Sequence, residues 1–271
     1  MHTTFDTPDP VHLYVELGAG HLTVAAEEVD TTTIDIHGPR AEEFKVEQAG
    51  RSVSVVAPRG RFFGFGDDHT VRIVVPTTSD LATKAGSADT EATGTFGVIK
   101  AKSGSGGIEI DRADSAVAID SGSGSIRGHE LRGDVRIKSG SGDIDLGDVR
   151  GTTSISTGSG DVVIGLAHAT TVVKSGSGDL EVKRSNADVS LSTASGDVTL
   201  GHVPQGKVTA KNVSGDVRVG IPEGTPVWTD VTSVSGNVAS NLVSAGKPAE
   251  GQPYVELRAS TVSGDVVLRQ V

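Results

Sequence analysis

Apolar and polar residues alternate along most of the chain in short runs that recur at a fixed interval. In the segment that begins at Asp143, Ile144 and Leu146 alternate with polar residues, and Thr153 and Ile155 form a second alternating run after a glycine corner. Alternation with a period of two predicts β-strands that bury one face, and this region has no helical apolar spacing. The pattern therefore predicts two short strands in every repeat.

The repeat is marked by the motif Ser/Thr-Gly-Ser-Gly-Asp, which two alternating aliphatic residues follow. Its second glycine falls every 18 residues from Gly106 to Gly196, and it recurs at wider spacings at Gly215, Gly236 and Gly264. One such repeat cannot bury its apolar face alone, whereas stacked repeats form continuous parallel sheets around a continuous core. We therefore predict an all-β fold, a right-handed parallel β-solenoid (β-helix) with 18-residue coils.

Residues 1–80 lack the motif but contain several strand-like runs, and the fragment at residues 20–24 resembles a decayed repeat. We predict an irregular β capping region over residues 1–80 and a solenoid repeat domain over residues 81–271. The last copy of the motif ends on its own strand, so its edge needs a cover. We expect either the loop at residues 241–253 or a second copy, in a homodimer through the C-terminal coil, to supply it.

Three longer phrases carry a family resemblance: VRIVVPTTSDL at residues 71–81, GIPEGTPVWTDVTSVSGNV at 220–238 and RASTVSGDVVL at 258–268. Together with the repeats, they resemble the bacterial putative-adhesin family of β-strand-repeat proteins, a domain of unknown function. The resemblance covers nearly the whole chain. It implies a β-helical fold, supplies no catalytic residues, and suggests a link to cell-envelope stress or to adhesion-like interaction.

Composition and charge narrow the classes of partner. The chain has no cysteine, which excludes disulfides and cysteine-ligated zinc, and its formal net charge of -11 disfavours nucleic acids and anionic membranes. The N-terminus has neither the basic nor the apolar region of a secretory leader, and no apolar run is long enough to span a membrane. We therefore expect a cytoplasmic protein.

Aspartates occupy one position of successive coils. The members of this column that could bind a metal are Asp143, Asp161, Asp179, Asp197 and Asp216, and Asp265 continues it. Stacked carboxylates repel one another unless a cation or backbone donors intervene. A calcium-binding module like a β-roll is one interpretation, although calcium needs six to eight oxygens and each coil offers one carboxylate. We favour the other, in which each aspartate hydrogen-bonds its own turn, and expect no metal or cofactor.

A column of serines, from Ser87 to Ser263, precedes the second glycine of every copy. No histidine accompanies it at the repeat spacing, so nothing would activate a nucleophile, and we predict that the hydroxyls satisfy backbone groups at the corners. The enzyme alternative is a carbohydrate-active parallel β-helix enzyme. It would need acids and bases clustered on one groove-like face, whereas this chain has ordered columns, so we predict that it is not an enzyme.

Two groups of residues are candidates for partner binding. A glycine-flanked loop contains three phenylalanines, which either plug one end of the core or contact a partner or a membrane surface. Several lysines directly precede the turns and would lie on a flat side face of the solenoid. These candidates are Phe62, Phe63, Phe65, Lys102, Lys138 and Lys174. We predict a non-catalytic scaffold or binding protein whose partner is a protein or an envelope component.

Overall fold

The computed structural model describes residues 1–58, 68–243, 246 and 248–271. This part of the chain is built from β-strands and one short 3-10 helix, Ala41–Glu43, and none of its helices is long and apolar enough to cross a membrane. The strands form two compact units, residues 1–133 with 137–141, and residues 134–136 with 142–271. The all-β, parallel solenoid architecture predicted from the repeat is confirmed.

The first unit contains the strands β1 (His2–Asp6), β2 (His12–Leu17), β3 (Ala19–Glu27), β4 (Thr31–His37), β5 (Lys45–Ala49), β6 (Ser52–Val56), β7 (Asp68–Pro76), β8 (Asp80–Ala85), β9 (Asp89–Phe96), β10 (Ile99–Ser103), β11 (Ile108–Ala113), β12 (Val117–Ser121) and β13 (Ile126–Leu131). They follow the order β1-β4-β7-β3-β9-β11-β13 in one sheet and β5-β6-β2-β8-β10-β12 in the other. Strand β14 (Val135–Ser139) is divided between the units.

The second unit contains β15 (Ile144–Val149), β16 (Thr153–Ser159), β17 (Val162–Ala167), β18 (Thr171–Ser177), β19 (Leu180–Ser185), β20 (Val189–Ser195), β21 (Val198–His202), β22 (Gly206–Lys211), β23 (Val217–Ile221), β24 (Val227–Ser235), β25 (Val238–Ser240), β26 (Val255–Ser263) and β27 (Val266–Gln270). Their orders are β15-β17-β19-β21-β23-β27-β25 and β16-β18-β20-β22-β26-β24. The strand pairings in this unit are parallel.

The antiparallel pairs lie at the outer edge of the first unit. Strand β1 pairs with β4, β4 with β7, and β5 with β6 in antiparallel fashion, whereas β2 and β3 run parallel to β8 and β9. The fragment that resembles a decayed repeat belongs to β3, where His21 aligns with Asp89 of the first degenerate copy. The N-terminal region is thus an irregular β cap in which β2 and β3 already follow the coil pattern. Its division from the repeat domain at residue 80 stays a prediction.

Apolar side chains stack in register to form the core. Ile144, Val162, Leu180 and Val198 occupy one column, as the 18-residue spacing predicts, and each is at most 1% exposed. Removing aliphatic side chains of this size from water contributes on the order of 2 kcal/mol each, and the stack is thin enough to need few aromatic residues. Phe62, Phe63 and Phe65, the predicted plug, lie outside the described residues.

The glycine corners bring the backbones of successive coils into direct contact. Gly178 has a φ of 121°, and a Cβ at this position would overlap the carbonyl oxygen of Gly160 in the preceding coil. Glycine is needed here both for its positive φ and for the absence of a side chain. The motif therefore repeats glycine from coil to coil for a steric reason.

The last coil of the chain does not lie at the end of its stack. Strand β26 pairs with β22 on one side and β24 on the other, and β27 pairs with β23 and β25 in the same way. The segment that contains Pro222 and Pro226 carries the chain past one coil position, and β26 and β27 then fill the gap. The expected bare edge on the C-terminal coil was therefore wrong, because β24 and β25 are outermost among the described strands. The homodimer through the C-terminal coil stays a prediction.

We expect this inversion to make the last two coils depend on each other. A chain that lacks residues 255–271 should unfold at the same urea concentration as one that lacks residues 222–271, because β24 and β25 lose their only pairing partners among the described strands. Amide hydrogen exchange should also show that β24 has lost its protection. If the chain that lacks only residues 255–271 is clearly more stable than the chain that lacks residues 222–271, the position of the last coil between two others is contradicted.

Candidate functional site

The aspartate column is a continuous hydrogen-bonded ladder. In each step, Oδ1 of one aspartate accepts the backbone N–H of the equivalent residue in the next coil. The steps run from Asp143 to Asp161, Asp179, Asp197, Asp216, Asp265 and Asn237, with N···O distances from 2.8 to 3.0 Å. The ladder follows the spatial order of the coils, since Asp265 comes before Asn237. Each aspartate therefore accepts a backbone N–H of the next coil. The expectation that it hydrogen-bonds its own turn was wrong.

Arg218 neutralises part of this ladder. Its guanidinium donates to Oδ2 of Asp197 and to Oδ2 of Asp216, each at 2.6 Å. Burial raises the pKa of Asp197, but the hydrogen bonds from Arg218 and from the backbone of Asp216, with the positive charge of Arg218, outweigh it and leave that pKa below its usual value. Backbone N–H groups and one arginine therefore compensate the negative charge of this part of the ladder.

A second set of aspartates also accepts backbone N–H groups of the next coil, at another corner. Oδ1 of Asp80, Asp134 and Asp188 accepts the backbone N–H of Val98, Thr152 and Lys207, respectively, at 2.7 to 2.9 Å. These aspartates are 54 residues apart, which is three 18-residue periods. A search at multiples of the period would have found them, but comparison of adjacent coils misses them because the coils between carry other residues there.

The hydroxyls that cap the corners belong to the first residue of the motif, and not to the serine column predicted for this role. Thr157, Ser175 and Thr193 donate to the carbonyl oxygens two residues ahead, at 2.8 to 3.0 Å. Hydroxyls that donate to backbone carbonyls stabilise the turn, and their hydrogen bonds go to carbonyl oxygens and not to a general base. Within the described ranges, no group of three or more histidine, cysteine, aspartate or glutamate side chains is arranged to hold a metal ion.

The candidate lysines lie on exposed strand positions. Lys102 has Lys84 and Asp120 as its neighbours in register, and Lys84 forms an ion pair with Glu16 at 2.8 Å. Lys174 lies between Ser156 and Ser192, and Lys138 is exposed on β14. Their exposure leaves them accessible to a partner, and their role in partner binding stays a prediction. The candidates Phe62, Phe63 and Phe65 fall outside the described residues.

A groove lined by aromatic residues lies beside β24 and β26 in the second unit. Its volume is about 570 Å³, and Pro226, Trp228, Tyr254, Glu256 and Arg258 are among the residues that line it. Trp228 is 51% exposed and Tyr254 is 49% exposed, in a chain with only 3% aromatic residues. Sequence reasoning missed this site. The available signal was that the single tryptophan and one of two tyrosines fall in the last two coils.

The inserted last coil assembles this groove. Tyr254 directly precedes β26, and Trp228 lies on β24 in register with Glu256. The backbone fixes both aromatic residues, because the N–H of Val255 donates to the carbonyl of Pro226 and the N–H of Gly206 donates to the carbonyl of Tyr254, each at 3.0 Å. Residues 26 positions apart in the sequence therefore line one surface.

The polar side of the groove is an ion pair that also contacts the indole. The guanidinium of Arg258 lies 5.8 Å from the centroid of the Trp228 ring, and its Nη2 is 3.0 Å from Oε1 of Glu256. The first distance is within the range of a cation–π contact. Flat aromatic faces beside a neutral pair of hydrogen-bonding groups can hold a ligand by stacking and hydrogen bonding.

A family model described as Toastrack DUF4097 matches residues 12–269. Among solved structures, a putative adhesin from Bacteroides fragilis shares 12% identity, with a TM-score of 0.41 and coverage of 99% of this chain and 96% of that one. A putative adhesin from Parabacteroides distasonis shares 14% identity, with a TM-score of 0.41 and coverage of 100% and 96%. No curated protein matches the chain. The match to the family model confirms the resemblance found in the sequence.

We expect the Asp161 ladder bond to contribute measurably to stability. Asp161→Ala leaves the N–H of Asp179 without its acceptor and should lower the free energy of unfolding by about 1–2 kcal/mol. Asp161→Asn removes the same charge but keeps an Oδ1 acceptor, so it should cost clearly less. Urea unfolding of both variants measures the difference, and equal losses would show that the hydrogen bond is not the stabilising element.

We expect calcium to leave the stability of the protein unchanged. Each ladder aspartate already uses one oxygen for a backbone N–H, and each coil supplies one carboxylate to the column, so the column does not provide the six to eight oxygens that calcium needs. Melting curves in a chelator and in calcium on the order of millimolar should superimpose. A rise of several degrees in calcium that Asp161→Ala abolishes would instead identify the column as a calcium site.

Proposed function

The chain belongs to the Toastrack DUF4097 family, and from that premise we propose that it is a non-catalytic β-solenoid binding protein whose partner enters the groove at Trp228 and Tyr254. The partner is a cell-envelope component or a protein, and the interaction is adhesion-like or is linked to envelope stress. The observation that carries this proposal is the pair of half-exposed aromatic side chains in one groove.

Exposed aromatic residues are informative in this chain because its core needs so few. Phe44 and Phe96 are buried, whereas Trp228 and Tyr254 each leave about half of their surface in solvent. Aromatic side chains supply a large apolar contact area for little loss of conformational entropy, and they are enriched where proteins bind their partners. Two exposed aromatic rings in one groove are thus typical of a binding site.

The use of the other polar groups supports a non-catalytic role. The ladder aspartates accept backbone N–H groups, and the motif hydroxyls donate to backbone carbonyls. Groups committed to the scaffold in this way are poor candidates for proton transfer or nucleophilic attack. In the groove itself, Glu256 is paired with Arg258, which favours hydrogen bonding to a ligand over acid–base chemistry.

Two classes of partner fit the groove. A glycan of the cell envelope can place the apolar face of a sugar ring on Trp228 or Tyr254 and hydrogen-bond to the ion pair. A proline-rich segment of a protein can dock between aromatic rings, as polyproline helices do in aromatic-lined grooves, and Pro226 already contributes to this wall. Both ligands are compatible with the neutral character of the Arg258–Glu256 pair.

The single tryptophan gives a direct test. Soluble peptidoglycan fragments and a polyproline peptide are titrated separately against the protein while Trp228 emission is measured. We expect a saturable change with one of them, at least tenfold weaker binding for Tyr254→Ala, and no effect of the matched variant Tyr14→Ala in the first unit. The probe that binds identifies the partner class. No change with either probe, or unaltered binding by Tyr254→Ala, would overturn the groove as the site.

A further inference from the structure

We infer that β24 is an interface through which a second copy of this chain binds, with the two β24 strands pairing antiparallel across a two-fold axis at Val231. This inference goes beyond the proposed function, because it rests on β24 being the outermost described strand of its sheet, although Trp228 belongs to both surfaces. It concerns a surface that the inserted last coil creates, since that coil leaves β24 outermost in its sheet.

The edge of β24 lacks the features that protect other edges in the chain. Strand β24 has nine residues, of which only Asp230 is charged, whereas the five-residue edge strand β5 carries Lys45 and Glu47. Short edges and charged side chains prevent unwanted strand pairing, and a long edge with little charge favours it. The β24 edge is therefore suited to pairing with another strand.

Apolar side chains on the last coils are left uncovered. Val234 is 75% exposed and Val238 is 52% exposed, although Val238 continues a column in which Val266 is fully buried. Val231 is likewise half-buried next to the buried Ala259. A further layer on this side would cover Val231 and Val238, whose neighbours Ala259 and Val266 are buried, and part of Val234, whose neighbour Val262 remains 48% exposed between two strands. Removal of this apolar surface from water is the main stabilising contribution to strand addition.

The residue pattern of β24 fits a second copy of itself. When Val231 faces Val231, Trp228 of one copy lies opposite Val234 of the other, and Thr229 lies opposite Ser233. Apolar and β-branched residues make favourable cross-strand pairs with aromatic residues. Asp230 lies opposite Thr232, and each Asp230 keeps Arg258 of its own chain as its neighbour in register, so no like charges face each other directly.

The directions in which the backbone N–H and C=O groups of β24 point favour the same register. The N–H of Val255 donates to the carbonyl of Pro226, so Val255 points its backbone groups toward β24, and its register partner Val227 points away. Because this direction alternates along a parallel strand, the odd-numbered residues Thr229, Val231 and Ser233 also present their N–H and C=O groups at the edge. With Val231 on the two-fold axis, these odd-numbered residues meet each other, as hydrogen-bonded antiparallel pairs require.

Sedimentation equilibrium at tens of micromolar tests the interface. We expect a dimer for the wild type and a dissociation constant raised at least tenfold by Val234→Asp, which brings a carboxylate near Asp230 of the second copy. Val213→Asp is the matched control, since Val213 is 53% exposed but lies off the β24 edge, and it should remain dimeric. Circular dichroism melts establish that both variants fold. A monomeric wild type, or a dimer that Val234→Asp does not weaken, would overturn the inference.

A single introduced cysteine tests the register, because the chain has no cysteine of its own. The Cα atoms of facing Val231 residues would lie about 5.5 Å apart, which is within the span of a disulfide. Mild oxidation of Val231→Cys should therefore give a covalent dimer, and Val213→Cys should give none. A dimer in solution without this cross-link would place the interface elsewhere, whether or not the aromatic groove binds a ligand.

Discussion

Every coil of this protein depends on its neighbours to satisfy its backbone. Two short strands and their corners cannot pair within one 18-residue repeat, so strand N–H groups, corner N–H groups and apolar side chains are all completed by the coils on either side. The aspartate ladder extends this rule to the corners, where Asp161 receives an N–H that no strand carbonyl reaches. Most polar side chains of the motif are consequently structural.

The outermost coil of a stack has a neighbour on one side only, so the backbone groups on its other side lack partners. In each unit, the order of the coils in space differs from their order in the sequence at this end. In the first unit, the later strands β6 and β7 lie outside β2 and β3, and β1, β4 and β5 cover that edge with antiparallel pairs. In the second unit, β24 and β25 lie outside β26 and β27. A coil that is inserted between two others gains pairing on both sides, so the first and last complete coils of the chain are held in place.

The period made the stacked columns predictable, because the spacing that repeats Ile144 as Val162 is the length of one coil. The order of the coils was not predictable from the period. An aliphatic residue such as Val266 fits the core column equally well next to Val217 or on the far side of Val238, so its side chain does not determine the position of its coil. The sequence also predicted the column of aspartates. It did not predict that each aspartate accepts a backbone N–H of the next coil, because that contact depends on how the coils stack. The phenylalanine loop and the lysines remain predictions from sequence.

The groove and the β24 edge both follow from the inserted coil. If the coils were stacked in sequence order, β26 would lie beyond β24 and would cover it, and the outer strands would be β26 and β27. Strand β26, the neighbour of β24 in the same sheet, carries Glu256 and Arg258, whereas β24 presents Trp228 and Val234 and has one charged residue. The inversion thus exchanges a more charged outer strand for one with little charge. Because the rest of the polar motif is used to hold the coils together, the surfaces left for recognition are those that the change of order exposes.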